Sequence, residues 1–206
     1  MFVLRTHRQK LRDYAFAAAL VLLAAALQSG AVALRTQEHF AEPILRLHVV
    51  ANSDSPGDQA VKLAVRDRVL AQTEALLEGQ SDRTGAEAVL RRHLSEIRRC
   101  AGEILAAEGF SYGATAELGT EEFPTRSYES FSLPAGEYMA LRVVLGDGQG
   151  KNWWCVVFPP LCTGGASLED AGFSPRQIRL LTKDSPRYVI KFRTIELWET
   201  LRQKLS

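Results

Sequence analysis

The chain predicts an α+β domain, with a mostly antiparallel sheet packed against two long helices and a signal or anchor helix ahead of it. Three observations carry this. The first apolar stretch after Pro43, Ile44 to Ala51, is short and alternating. The segments 55–77 and 84–107 then repeat their apolar residues at helical spacing. From Phe110 onward the period falls to two, and Gly- and Pro-containing turns separate several short runs. One strand, two helices and a run of strands is the order of an α+β domain.

The first 33 residues read as targeting sequence. Arg5, Arg8, Lys10 and Arg12 precede an apolar run from Tyr14 to Leu27, and Ala31-Val32-Ala33 supplies small residues for cleavage. The run is shorter than the ~20 residues a spanning helix needs. Extending it to Leu34 gives a marginal span, so a cleaved signal and an N-terminal membrane anchor both stand. Either way the basic end stays cytoplasmic and the rest crosses the membrane. Residues 34–43 form a polar connector stopped by Pro43, and 44–206 form one domain with an adequate core.

Within that domain, Leu45, Leu47, Val49 and Ala51 share one face of the first strand, opposite Arg46, His48 and Val50. Ser55 and Pro56, with Asp58 three residues after the serine, are the start signals of a helix. Val61, Val65 and Val69 begin its apolar face, and Gly79 follows its end. The second helix carries Leu90, Leu94, Ile97, Ala101 and Leu105, against Arg91, Arg92, Arg98 and Arg99 on the other side. Those arginines suit a solvated face or a weak attraction to anionic lipid. Phe110 to Leu118 alternates as a strand, a segment near Tyr128 to Leu133 leads to a turn at Pro134-Ala135-Gly136, and Tyr138 to Leu145 is the next strand. Gly146 to Gly150 predicts a hairpin returning through the strand Asn152 to Phe158. Thr163 to Pro186 reads as loop with a helical turn, Arg187 to Phe192 as a last strand and Thr194 to Lys204 as a closing helix.

Composition narrows the function classes. Lys and Arg number 25 against 24 Asp and Glu, for a net charge of +1, which gives no basic excess for nucleic acid. No CxxC pair or His/Cys cluster has zinc spacing, and no Walker-type GK[ST] motif is present, so neither metal nor other cofactor is expected. The chain has 3 cysteines. Cys155 and Cys162 flank Pro159-Pro160, and a disulfide between them and two separate buried thiols are both open. His48, Asp54 and Ser53 or Ser55 have the residue types of a hydrolytic triad. His48 is mid-strand, however, and neither serine sits in a glycine-flanked elbow. The Asn52 to Ser55 corner otherwise reads as a turn with a helix cap, or as a contact surface. Lys62 and Arg66 lie one turn apart on a face expected to be solvated, beside Asp67. Trp153 and Trp154 point to opposite faces of a strand, and an exposed tryptophan beside Asn152 would anchor an interface.

Two blocks carry a resemblance. Leu45-Arg46-Leu47-His48-Val49-Val50-Ala51-Asn52-Ser53-Asp54-Ser55, with Asp58-Gln59, Lys62 and Val65-Arg66-Asp67, resembles the stage II sporulation protein R family. Gly150-Lys151-Asn152-Trp153-Trp154-Cys155 and Pro159-Pro160-Leu161-Cys162 look like its second signature. The resemblance implies a forespore-made protein exported toward the mother cell. There it triggers a membrane-embedded aspartic protease of the stage II sporulation protein GA type, which removes the pro-segment of sigma factor E. It implies no catalytic residues, and it marks His48, Asn52, Asp54, Lys62, Arg66, Asp67, Asn152 and Trp153 as the surface to test. A cell-envelope hydrolase using His48 and the Asn52–Asp54 corner is the alternative from another class, and an envelope-binding module is a third.

Overall fold

The computed structural model describes residues 7–182. Its elements are α1 (His7–Ala41), β1 (Leu45–Val50), α2 (Pro56–Leu77), α3 (Arg83–Ala107), β2 (Ala114–Phe123), β3 (Arg126–Ser127), β4 (Ser132–Leu133), β5 (Gly136–Leu145), β6 (Asn152–Phe158) and α4 (Pro175–Leu181). The class is α+β. Four strands form a sheet in the order β2-β5-β1-β6, and β3 and β4 form a separate ribbon. β2 pairs antiparallel with β5, β1 antiparallel with β6, and β1 parallel with β5. The expected last strand and closing helix lie outside the described residues.

The expected hairpin at Gly146 to Gly150 is not one. β5 and β6 do not pair with each other, because β1 lies between them. The loop therefore passes over the end of β1 and meets the polar corner that follows it. Sequence adjacency favours the hairpin, but β1 supplies a central strand with two apolar-rich edges to satisfy.

α2 and α3 cover one face of the sheet. Val61, Val65 and Val69 of α2, with Leu90, Ile97 and Leu105 of α3, meet Leu47, Val49, Leu141 and Val143 in one core. Ser55 caps α2 by accepting from the Asp58 N–H at 3.1 Å, and Asp82 caps α3 by accepting from the Gly85 N–H at 2.8 Å. Gly79 and Gly109, at φ +79 and +81, follow their ends.

The opposite face is also covered. Phe40 at the end of α1, Phe123, Phe131, Leu161, Leu168, Phe173 and Leu181 build a second core against Ile44, Tyr138, Ala140 and Val156. β1 is consequently buried along its whole length, including Arg46 and His48. β2 begins at Ala114 and continues to Phe123, four residues later at its start than the alternation suggested.

The N-terminal segment is one long helix among the described residues. α1 continues to Ala41, through the stretch read as a polar connector, because no proline interrupts it before Pro43. No helix among the described residues is long and apolar enough to cross a membrane. Within α1, Tyr14, Phe16, Leu20, Val21, Leu22 and Leu23 are exposed.

Candidate functional site

The corner after β1 is built around a carboxylate. Asp58 lies in the first turn of α2 and is buried. The Asn52 amide donates to it at 3.1 Å, and the hydroxyls of Ser53 and Tyr112 donate as well. Those hydroxyl bonds, with Ser53 the strongest influence, hold the Asp58 carboxyl down at about 2 against partial desolvation. Burial, and then the same contact, raise the Tyr112 phenol. Asp58 is visible in sequence as a helix-start residue. Its second role depends on Tyr112, beyond α3, which local spacing cannot reveal.

The loop after β5 is fastened to this corner. The N–H groups of Gln149 and Gly150 donate to the carbonyls of Asn52 and Ala51 at 3.0 and 2.9 Å. The Asn52 side-chain oxygen accepts from the Asp147 N–H at 2.9 Å, and Asp54 accepts from the Lys151 N–H at 2.8 Å. Lys62 closes the arrangement from α2. Its ammonium donates to the Lys151 carbonyl at 3.0 Å and to the Gln59 side chain at 2.7 Å. Lys62 is 4% exposed, so the expected solvated face does not include it. Burial lowers its pKa, with Asp54 opposing.

His48 is also a buried, satisfied group. Nδ1 meets Glu121 Oε2 at 2.8 Å, Nε2 meets Asn152 Oδ1 at 2.9 Å, and the ring stacks on Trp154 with centroids 3.8 Å apart. Glu121 in turn pairs with Arg142 at 3.1 Å. Ser53 and Ser55 bond to Asp58 and not to His48. The triad residue types therefore do not assemble around a serine. Among the described residues no group of three or more His, Cys, Asp or Glu side chains is placed to hold a metal.

From this corner the surface opens into a cleft of about 880 Å³. Arg66, Asp67, Asn152 and Trp153 form one wall, and Arg126, Tyr128 and Phe131 of the ribbon region form another. Trp153 is 36% exposed, and the Arg66 guanidinium lies 4.2 Å above its ring. Asp67 holds that guanidinium in place at 2.6 Å. Such stacking holds a partly exposed aromatic ring in one orientation. The expected surface residues thus divide. Arg66, Asp67, Asn152 and Trp153 share the cleft, Asn52 and Asp54 hold the loop beside it, and His48 and Lys62 support it from beneath. Tyr128, Phe131 and Arg126 escaped sequence reading, since nothing local places their ribbon beside β6. Cys155 and Cys162 line the cleft floor as free thiols.

The comparisons with known proteins bear on this same region. The family model described as stage II sporulation protein R matches residues 41–167, from the end of α1 through β6 to the cleft floor. The chain belongs to this family. The stage II sporulation protein R of Bacillus subtilis (strain 168) is 40% identical over 118 residues, covering 57% of this chain and 53% of the relative. The chain thus matches about half the length of that relative. No solved structure matches. Family membership supports a role in sporulation, and the two blocks that carry the resemblance meet at one corner of the fold.

Proposed function

We propose that this protein is an exported sporulation signal whose domain binds and activates a membrane-embedded aspartic protease of the stage II sporulation protein GA type. Activation leads to processing of pro-sigma E in the mother cell. The observation that carries the reading is the cleft beside the joined signature segments, with Trp153 held outward under Arg66. An oriented tryptophan ringed by polar groups is the kind of residue that dominates a protein interface. The mechanism is a shift in population: the domain activates the protease to the extent that it prefers the active conformation.

Export is part of the proposal. The basic, apolar and small-residue order at the N-terminus is that of a secretory signal, and the apolar side chains of α1 from Tyr14 to Leu23 stand exposed. Residues 1–33 would direct the chain across the forespore membrane into the space facing the mother cell.

The test is co-expression in a non-sporulating host of this protein, its cognate protease and the sigma-factor precursor, with cleavage read by immunoblot. Cleavage should require this protein together with its N-terminal segment. Absence of cleavage with all three components present and the protease competent would refute the reading.

A further inference from the structure

Arg46 is fully buried at the centre of the sheet, at 0% exposure. Its guanidinium is a permanent cation, and a buried ion needs compensation. What it receives is aromatic. It donates to the Tyr128 hydroxyl at 2.5 Å and lies 4.0 and 4.8 Å from the ring centroids of Phe123 and Tyr138. Nε and one terminal nitrogen have no hydrogen-bond partner among the described residues, and no carboxylate among them pairs with it.

Across the β1–β6 pair, Arg46 stands opposite Val156. The Val156 N–H, on the side of β6 away from β1, donates to Cys162 Sγ at 3.1 Å. The chain doubles back through Pro159-Pro160 and brings that sulfur to the edge. The Cys155 thiol, on the residue before Val156, donates to the Val156 carbonyl at 3.9 Å. Cys162 therefore accepts a backbone hydrogen bond beside Cys155 in the cleft, which Tyr128 and Trp154 also line.

We propose that Cys162 is a thiolate supplying the counter-charge of Arg46, and that it forms with Cys155 a dithiol site for disulfide substrates entering the cleft. The adjacent Cys155 thiol is the largest influence lowering the Cys162 pKa; burial opposes it, while the Val156 N–H and, least, Arg46 add to it. The neighbouring Cys162 sulfur and burial raise Cys155. Of the other titratable groups facing the pair, burial pushes the Tyr128 phenol up to about 12, so it stays neutral. Arg126, Arg66, Asp67 and Glu129 stand along the cleft walls.

The reaction balances without metal or cofactor. The Cys162 thiolate attacks one sulfur of a disulfide RSSR, forming a protein–S–S–R bond and releasing RS⁻. Cys155 passes its proton to the released RS⁻, giving RSH, and its thiolate attacks Cys162 Sγ, forming the Cys155–Cys162 disulfide and releasing the second RS⁻. Two protein thiols are oxidised and one disulfide is reduced. This inference does not rest on what the cleft binds as a partner.

The test is alkylation of the reduced full chain with iodoacetamide across pH, each cysteine peptide being quantified by mass spectrometry. The midpoint of each profile is read rather than the rate, since burial slows Cys100 and Cys155. Cys162 should titrate clearly below the ordinary thiol value of about 8.5, with Cys100 and Cys155 not below it. Arg46→Met should raise the Cys162 midpoint and Arg46→Lys should retain it. Should neither variant fold, the wild-type profile decides alone. Oxidised glutathione should yield the Cys155–Cys162 disulfide in the wild type and a single adduct on Cys162 in Cys155→Ser. A wild-type Cys162 midpoint at or above about 8.5, or an adduct on another cysteine, would overturn the proposal.

Discussion

Asp58 shows how one side chain can hold two distant parts of a sequence. Its carboxylate accepts from Asn52 and Ser53, just before α2, and from Tyr112, which follows α3. Removing it leaves these donors facing a buried gap, so Asp58→Ala should cost about 1–3 kcal/mol. The pH dependence has a definite sign. The folded carboxyl titrates at about 2 against an ordinary 3.8, so the charged form favours folding. Its contribution is complete above the ordinary value and is lost as pH falls through that value toward about 2. Urea unfolding of the wild type and Asp58→Asn should show the wild type losing more of its stability across this window. Parallel losses in the two proteins would remove Asp58 from the account. The helix-start half of this role was legible, because Ser55, Pro56 and Asp58 are adjacent. The Tyr112 half was not, since it depends on how α3 returns the chain to the sheet.

At the scale of elements, the loop after β5 is the clearest departure from local reading. Glycine-rich segments between two strands usually close hairpins. Here β1 separates those strands, and the loop instead lies against the corner that ends β1. Its glycines are needed for close approach. A Cβ on Gly150 would collide with the Ser53 carbonyl, and one on Gly146, at φ +54, would collide with the Asn52 side chain. Gly150→Ala should therefore destabilise the fold by about 1–3 kcal/mol. Gly113→Ala, which meets nothing within 4 Å, is the control and should be close to neutral. Equal thermal midpoints for the two variants would contradict the packing described. The alternation in β1 was legible as a strand. Its burial on both faces was not, because the cover over Arg46 and His48 comes from residues 121–181, whose segments local pattern does not assign to a face.

Across the whole molecule, the sheet order β2-β5-β1-β6 brings the two family signatures together. The first ends β1 and begins α2, and the second forms the loop, β6 and the turn to Cys162. Their separation in sequence disappears because β1 and β6 are neighbours. Both blocks were legible as signatures, but their meeting depends on strand order, which a single sequence does not specify. The proposed surface follows from that meeting, with Trp153 and Asp67 outermost and His48 and Lys62 beneath. The most direct measurement is precursor cleavage in the three-component co-expression assay with Trp153→Ala. Secretion and circular dichroism would establish that the variant is folded. Loss of an anchor of about 2 kcal/mol or more lowers affinity at least tenfold, so cleavage should fall to a small fraction of wild type at matched levels. Undiminished cleavage by folded Trp153→Ala would contradict the claim that this cleft engages the protease.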